Sequence, residues 1–548
     1  MPVKMKFEPP QSMETDVAIV GAGMGGLYSA WRLSGDRTHA RKPRHVTVFD
    51  YQNRVGGRLE TIRLPDAPQL RAEVGGMRFI PNWQQHITAV IHELGLDDAI
   101  IDFPVSDQFN LNYLRGEQFR GQSFKLTTVP YRLRGSEQGN DTEGFFKLAL
   151  TRLLTKAKVK TPLSEITRKE WDKIKQQKNF TWNDEPLADQ GFWNVLYDIL
   201  STEGYKLATE GSGYNSLTSN WNAAEAAGYL GLDFVEAQYK TLRGGYDSTA
   251  AALANKFIEQ GGEIWGYSEL KSIHRDGEKL RLRFLRRNPE QPQQRPGMFE
   301  VTCNQVILGL PRHALDQLEG SSADGAFTAR PGTQQYSLLH SVLELPAFKL
   351  FLEFKEPWWN ELGITAGRSV TDLPIRQCYY FGTDELTGRS LLMASYNDDN
   401  TVSFWKGLKW KPGQEQGARY ISENTRAEAP YNQGDTREAP PLMIQQALAQ
   451  LRDLHGVQIP EPVASCYKDW SSEPFGAGWN FWKAGVRTWE VMPKIRKPWD
   501  DANIYIVGDC YSTVQGWVEG AFNTAEHVLR DHFHLDVPLW LDGVYLGY

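Results

Sequence analysis

Residues 16–33 read DVAIVGAGMGGLYSAWRL, and no other stretch restricts the fold of this chain as much. Residues 17–20 form a short apolar run of the kind a strand buried on both faces requires. Gly21-Ala22-Gly23-Met24-Gly25-Gly26 follows, and Leu27, Ala30 and Leu33 then recur at helical spacing. Gly21 permits the tight turn, Gly23 lets a pyrophosphate approach the main chain, and Gly26 lets the helix pack on the strand. The free N–H groups of the helix start face the phosphates. A second strand, His45-Val46-Thr47-Val48-Phe49, ends in Asp50, whose carboxylate is expected to accept hydrogen bonds from an adenosine ribose. Asp50 lies 24 residues past Gly26, close to the usual gap. The basic run 37–44 (RTHARKPR), read as a solvated loop, accounts for the excess. Up to this point NAD and FAD fit equally.

The rest of the chain removes other classes. With 548 residues it is too long for one simple domain, and it can bury a large core without staples. Sixty Lys+Arg against 67 Asp+Glu, a net −7, argues against a dedicated nucleic-acid binder. The four cysteines, 303, 378, 466 and 510, contain no CxxC and make no disulfide framework, so a reducing compartment fits. No HExxH, GxSxG or Walker A loop occurs. His532-x-His534 reads as a solvated pair, so no metal is expected. No apolar run reaches the roughly 18 residues of a membrane span. The first residues, MPVKMKFEPPQSMETD, have no apolar core of a signal peptide, so the cytoplasm is the expected location.

Helical patterns are expected at 84–95, 145–154, 192–202, 220–230 and 250–258. Strands are expected around 263–270, 306–310, 340–356 and 390–396, with a hairpin turning at Asp276-Gly277. Residues 288–297 read as a Pro-rich loop, and 407–441 are polar and poorly patterned. Near the end, residues 503–507 lead into Gly508-Asp509, again strand, glycine, acid, and a helix runs on through Leu529. If both strand-and-glycine units touch one cofactor, the cofactor domain is discontinuous.

Asp50 is followed by Arg54, Gly56, Gly57 and Arg58. Adjacent glycines let the backbone pass close to a ligand, and Arg58 can meet phosphate oxygens. With this acid-x3-R-x-G-G-R pattern the sequence resembles the flavin amine oxidase superfamily, over nearly the whole chain. The resemblance implies FAD and an α/β fold: a Rossmann-like, GR2-type FAD-binding domain (14–60, 242–315 and 498–532), a mixed-sheet substrate domain (61–129 and 316–497) and a helical insertion (130–241).

Within the superfamily the residues resemble the L-amino acid oxidases. Gly75-Gly76-Met77-Arg78 is similar to their G-x-M-R element, which implies that Gly76 and Met77 meet the cofactor and that Arg78 grips the substrate α-carboxylate. A guanidinium suits that task through two parallel hydrogen bonds. The resemblance implies further that Tyr396 supplies a second bond to the carboxylate, and that Lys349 holds a water beside flavin N5. A surface Lys on an edge strand is the plain alternative for Lys349. Gly516-Trp517-Val518 is similar to the family's G-W-hydrophobic element, with Gly516 facing the amine, Trp517 walling the pocket and Val518 near the flavin. Leu270, Trp470, Gly508, Asp509 and Ala521 complete the implied cofactor set, in which Gly26, Arg78, Gly516 and Trp517 also count.

Two departures stand out. Relatives commonly carry Glu where this chain has Asp50 and Asp509, which shortens the reach to the cofactor by a methylene. The histidine some members carry in the helical domain has no counterpart in 220–225. The implied reaction is hydride transfer from Cα to flavin N5, hydrolysis of the imino acid to a 2-oxo acid and ammonia, and reoxidation by O₂ to H₂O₂. A 2-monooxygenase, a dehydrogenase and a non-catalytic flavin-binding protein are the alternatives. The 18 Trp favour apolar, aromatic or broad substrates. Glu225 and Asp233 could instead greet a basic side chain, or be ordinary surface acids. A homodimer is the family expectation.

Overall fold

Four parallel strands stop at one level. Ser12–Val20 pairs with Val46–Phe49 on one side and Gly297–Leu308 on the other, and Ile504–Ile506 pairs with Gly297–Leu308. Val20 lies opposite both Phe49 and Leu308, and Leu308 lies opposite Ile506. The chain therefore leaves the sheet together at Gly21, Asp50, Gly309 and Val507. The carboxyl ends of such strands are where open parallel sheets hold ligands. Glu263–Trp265 adds a parallel edge beside Val46–Phe49, and Lys279–Arg286 and Ser268–Asp276 continue the other side antiparallel, giving seven strands. These relations come from a computed structural model that describes all residues except 1–2, 36–43, 122–128, 234–236, 287–296, 319–325, 412–416, 421–435, 472–475 and 477. The expected hairpin turns where anticipated, with Gly277 at φ +63°. Most of the basic run, nearly all of the Pro-rich loop and much of 407–441 lie outside the described residues.

Helices Met24–Gly35, Ser248–Glu259 and Val518–Phe533 bury Leu27, Ala30, Ala254, Phe257, Phe522 and Val528 in one core with the parallel strands. The first and last of these helices touch. The Tyr28 hydroxyl donates to Glu526 at 2.7 Å, and Arg32 pairs with the same carboxylate.

A second sheet has nine strands, with Ala347–Phe354 between Ala464–Asp469 and Ser390–Asp398 near its middle. Strand alternation sends Phe348, Leu350, Leu352 and Phe354 into a core with helix Pro441–His455. Phe351 joins a different core on the opposite face. The sheet is thus buried on both sides. This corrects the edge-strand alternative for Lys349: it sits on a central strand, 3% exposed, on the face turned toward the first sheet. The register places Tyr396, Lys349 and Lys468 side by side across three strands.

Five helices, Thr142–Lys156, Arg168–Lys175, Phe192–Ile199, Thr202–Ser212 and Ala223–Asp233, surround a third core containing Phe145, Trp171, Leu196, Leu207, Trp221 and Leu230. Their starts follow from the sequence: Asp141 accepts from Gly144 N at 2.9 Å, Thr167 and Glu170 form a reciprocal cap, and Ser201 accepts from Gly204 N at 2.9 Å. The expected helix over 192–202 is broken, because the Ser201 cap starts a new one. Arg168–Lys175 was not anticipated. Its few apolar positions, Trp171 and Ile174, give a weak helical pattern.

Among the described residues no helix is long and apolar enough to cross a membrane, and no group of three or more His, Cys, Asp or Glu side chains is placed to hold a metal ion.

Candidate active site

One cavity of about 820 Å³ runs from the ends of the parallel strands to the helical region and the nine-stranded sheet. That is toward the upper end of ligand sites, roughly 300–1,000 Å³. At the strand end the wall is largely main chain. Gly21 turns at φ +103°, and a Cβ there would stand 2.5 Å from the Gly309 carbonyl oxygen. Helix Met24–Gly35 starts at the cavity with no acidic residue in its first turn, and a second helix start, at Val518, faces the same space. Both starts present free N–H groups and a positive dipole end, which suits a pyrophosphate.

Asp50 is already held: its two oxygens accept from Ala22 N at 2.6 Å and Gln52 N at 2.7 Å. Burial pushes its carboxyl up, while these two hydrogen bonds pull the other way. Asp509 accepts from Gly516 N at 3.0 Å and pairs with Arg58, which also donates to Gly478 O at 3.1 Å. The shorter acid thus ties the Arg58 loop to the Gly516 turn. Segment 75–78 runs against 58–60, with Gly76 N donating to Arg58 O at 2.9 Å and Gly75 N to Glu60 O at 3.2 Å. A Cβ at Gly75 would come within 2.1 Å of Arg58 O, so the paired glycines are what let Arg78 lie beside the Gly57-Arg58 turn.

The other end of the cavity is made of side chains. The Arg78 guanidinium donates to the Tyr379 hydroxyl at 3.2 Å and stacks over the Tyr239 ring at 4.1 Å. It forms no ion pair among the described residues. Tyr379 in turn donates to Gln377 Oε1 at 3.4 Å, which accepts from Arg368 at 2.6 Å. Burial pushes the Tyr379 phenol up, but Arg368 and Arg78 outweigh it and hold the phenol below its usual range.

Lys349 Nζ donates to Glu73 O at 2.9 Å and Gly75 O at 2.6 Å, and lies 4.7 Å over the Tyr396 ring. Burial lowers its ammonium to about 7. The nearby Glu73 carboxyl is pushed up to about 8, first by burial and then by Asp247. Trp517 Nε1 donates to the Tyr229 hydroxyl at 2.8 Å, and Trp470 Nε1 to Val74 O at 2.6 Å.

The profile of the family described as flavin containing amine oxidoreductase matches residues 24–416 and 432–529. The chain belongs to this family. It is 28% identical over 551 residues to aplysianin-A of Aplysia kurodai, covering 94% of this chain and 90% of that protein. It is 22% identical over 521 residues to an L-amino-acid oxidase of Bungarus fasciatus, covering 94% and 86%. Among solved structures, wild-type putrescine oxidase bound to putrescine superposes with a TM-score of 0.64 at 17% identity, covering 96% of this chain and all of that one. That likeness is one of fold.

The cofactor of this flavin-containing oxidoreductase is FAD, and the cavity fits it. A Cβ on Gly508 would meet no atom within 4 Å, and one on Gly23 would meet only Gly57 Cα, at 3.8 Å. The glycines therefore leave room for a ligand rather than for protein.

The cavity wall includes Gly21, Gly23, Asp50, Gly57, Arg58, Gly76, Met77, Arg78, Leu270, Lys349, Tyr396, Trp470, Gly508, Asp509, Gly516, Trp517, Val518 and Ala521. Gly26, expected among the cofactor residues, is not part of it. Its Cβ would stand 2.0 Å from Gly21 O, so it serves the packing of helix on turn. Glu225 and Asp233 are buried, which corrects the surface-acid alternative. Glu225 is taken up by Lys175 at 2.9 Å and Thr488 at 2.7 Å, away from the cavity; Asp233 lines it. Sequence reasoning missed Gly309, Tyr214, Tyr229, Trp479 and Phe481 in the wall. Gly309 carried a signal, as the glycine ending a buried strand. The aromatic residues carried none, because core and pocket aromatics look alike in sequence.

Proposed function

We propose that the chain oxidatively deaminates L-amino acids to 2-oxo acids, with release of ammonia and H₂O₂. The observation that carries this reading is Arg78: a guanidinium in the cavity wall, fixed by Tyr379 and Tyr239, with no carboxylate paired to it among the described residues. A buried cation is normally paired. The α-carboxylate of an amino acid supplies the missing partner, with Tyr396 as a second donor.

FAD held along the Gly21–Gly23 turn and the Gly508–Val518 wall would supply the hydride acceptor for Cα and the route of the electrons to O₂. The protein's part is placement. Arg78 and Tyr396 hold the carboxylate end, and the Gly516-Trp517 turn confines the amine. Trp479, Tyr229, Tyr214 and Phe481 wall the space for the substrate side chain and exclude water. Neutral Lys349 has two N–H donors for its two carbonyl acceptors and keeps a lone pair. With its ammonium lowered to about 7, it can take or release a proton beside the cavity near neutrality.

The four described cysteines are buried free thiols, which supports a cytoplasmic setting, and a homodimer is the assembly the family suggests. The test is peroxide release from purified holoenzyme against the twenty L-amino acids, with D-enantiomers as controls. Peroxide from L forms alone is the expected result. Anaerobic bleaching of the flavin without peroxide in air would favour the monooxygenase or dehydrogenase alternative. No bleaching would overturn the carboxylate role of Arg78.

A further inference from the structure

Helix Ala223–Asp233 carries two acids with opposite fates. Glu225, in its first turn, is neutralised by Lys175 and Thr488. Asp233, at its last position, is 5% exposed, faces the cavity and forms no ion pair among the described residues. Among the described residues one donor holds it: the Tyr239 hydroxyl, 3.0 Å from Oδ1.

The position is costly. A buried carboxylate without a partnered cation is rare. Burial accordingly pushes the Asp233 carboxyl up to about 6, against the longer-range pull of Arg78 and Arg368. The tyrosines around it, Tyr214, Tyr229 and Tyr239, are themselves held above their usual range, so none is a competing charge near neutrality.

Tyr239 connects this acid to the carboxylate site. Its ring lies under Arg78 while its hydroxyl bonds Asp233. Once a substrate carboxylate occupies Arg78, the cation that best supports ionised Asp233 is compensated elsewhere. Asp233 must then take up a proton or meet a new cation. The wall of the same cavity also offers Tyr214, Leu217 and Tyr229, surfaces for an aliphatic stem.

We propose that Asp233, oriented by Tyr239, is a specificity residue that receives the side-chain cation of a basic L-amino acid such as lysine, ornithine or arginine. The proposal rests on the L-amino acid oxidase reading and names the substrate class for it.

The test compares L-lysine with L-norleucine, the same chain without its terminal amine, by peroxide release from wild-type holoenzyme and Asp233→Asn. In the wild type, kcat/KM for lysine exceeds that for norleucine by about 100-fold or more, the order of discrimination expected when a buried polar partner is left unmet. In Asp233→Asn the lysine value falls by about the same factor while the norleucine value rises, so the preference collapses. The wild-type lysine-to-norleucine ratio also climbs from pH 5 to pH 8 as Asp233 ionises, and this readout stands if the variant folds poorly. A wild type that prefers norleucine, or a variant that keeps the lysine preference, overturns the proposal and leaves the oxidase reading intact. Failure of every L-amino acid to bleach the flavin overturns both.

Discussion

At the dinucleotide end of the cavity the wall is mostly main chain: the Gly21–Gly23 turn, two helix starts, the Gly56-Gly57 and Gly508 passages. At the substrate end it is mostly side chains, Arg78, Tyr214, Tyr229, Asp233, Tyr396, Trp479 and Trp517, gathered from the 75–78 segment, the helical region, the nine-stranded sheet, the strand Trp479–Trp482 and the start of helix Val518–Phe533. A main-chain site recognises what every copy of the cofactor shares, phosphates and sugars, and it tolerates only glycine at the closest approaches. A side-chain site can change its preference one residue at a time. The first end explains why the chain keeps its flavin; the second is where its choice of substrate is made.

Five substitutions probe that contrast. The largest effect is expected for Arg78→Met, which removes the charged partner proposed for the substrate carboxylate. It should lower kcat/KM by about 10³-fold, as loss of one member of a buried charge pair does. Flavin content and the flavin absorption spectrum should stay as in the parent. Loss of flavin with activity would show that the two ends are not separable.

Gly23→Ala comes next. Its Cβ would meet protein only at 3.8 Å, so the apoprotein should melt within about 1 °C of the parent, as surface-like changes do. FAD affinity should fall by about 10- to 100-fold, because the methyl group takes the place where the phosphates approach the chain. Gly26→Ala, with its Cβ 2.0 Å from Gly21 O, should instead destabilise the apoprotein itself. Equal melting of the two variants would refute the distinction between ligand room and packing room.

Tyr379→Phe removes one hydrogen bond to Arg78 and should raise KM about tenfold with kcat little changed, a charged hydrogen bond being worth roughly 1.5–3 kcal/mol. A fall in kcat alone would place Tyr379 in the chemistry rather than in holding Arg78.

The smallest effect, on stability, concerns Lys349. Its folded value, about 7, lies below the ordinary 10.5, so between these values the unfolded chain binds more protons than the folded one. Stability therefore rises with pH across this window, and the cost of burying Lys349 is greatest at and below pH 7. Lys349→Met should raise the melting temperature most near pH 6–7 and progressively less toward pH 10. A gain that does not depend on pH would remove burial as the cause.

The same contrast governs what could be read from the sequence. Gly21, Gly23, Asp50 and Gly508 were legible because main-chain sites need contiguous glycines and a strand end, and these leave a local pattern. Arg78 and Lys349 were reached only through family likeness, since an Arg after two glycines or a Lys in an apolar strand has no local signature of its role. The plain reading of Lys349 as a surface residue failed for a physical reason. Alternation tells which residues share a face, but not that both faces of a sheet are covered. Tyr214 and Tyr229 remained invisible because aromatic residues are placed by contacts across hundreds of residues. The Ser201 cap, by contrast, was there to be read and would have split the 192–202 helix.

The contact between the first helix and the last, Tyr28 to Glu526, has a consequence for how the protein is made. The phosphate turn at Gly21–Gly23 is synthesised well before the opposite wall, Gly508 through Ala521. Between the two, the nascent chain holds half a nest and an unfinished parallel sheet. Cofactor capture thus waits for the wall at 508–521, and a chain cut short before Val518–Phe533 should carry no flavin however well its glycine fingerprint is preserved.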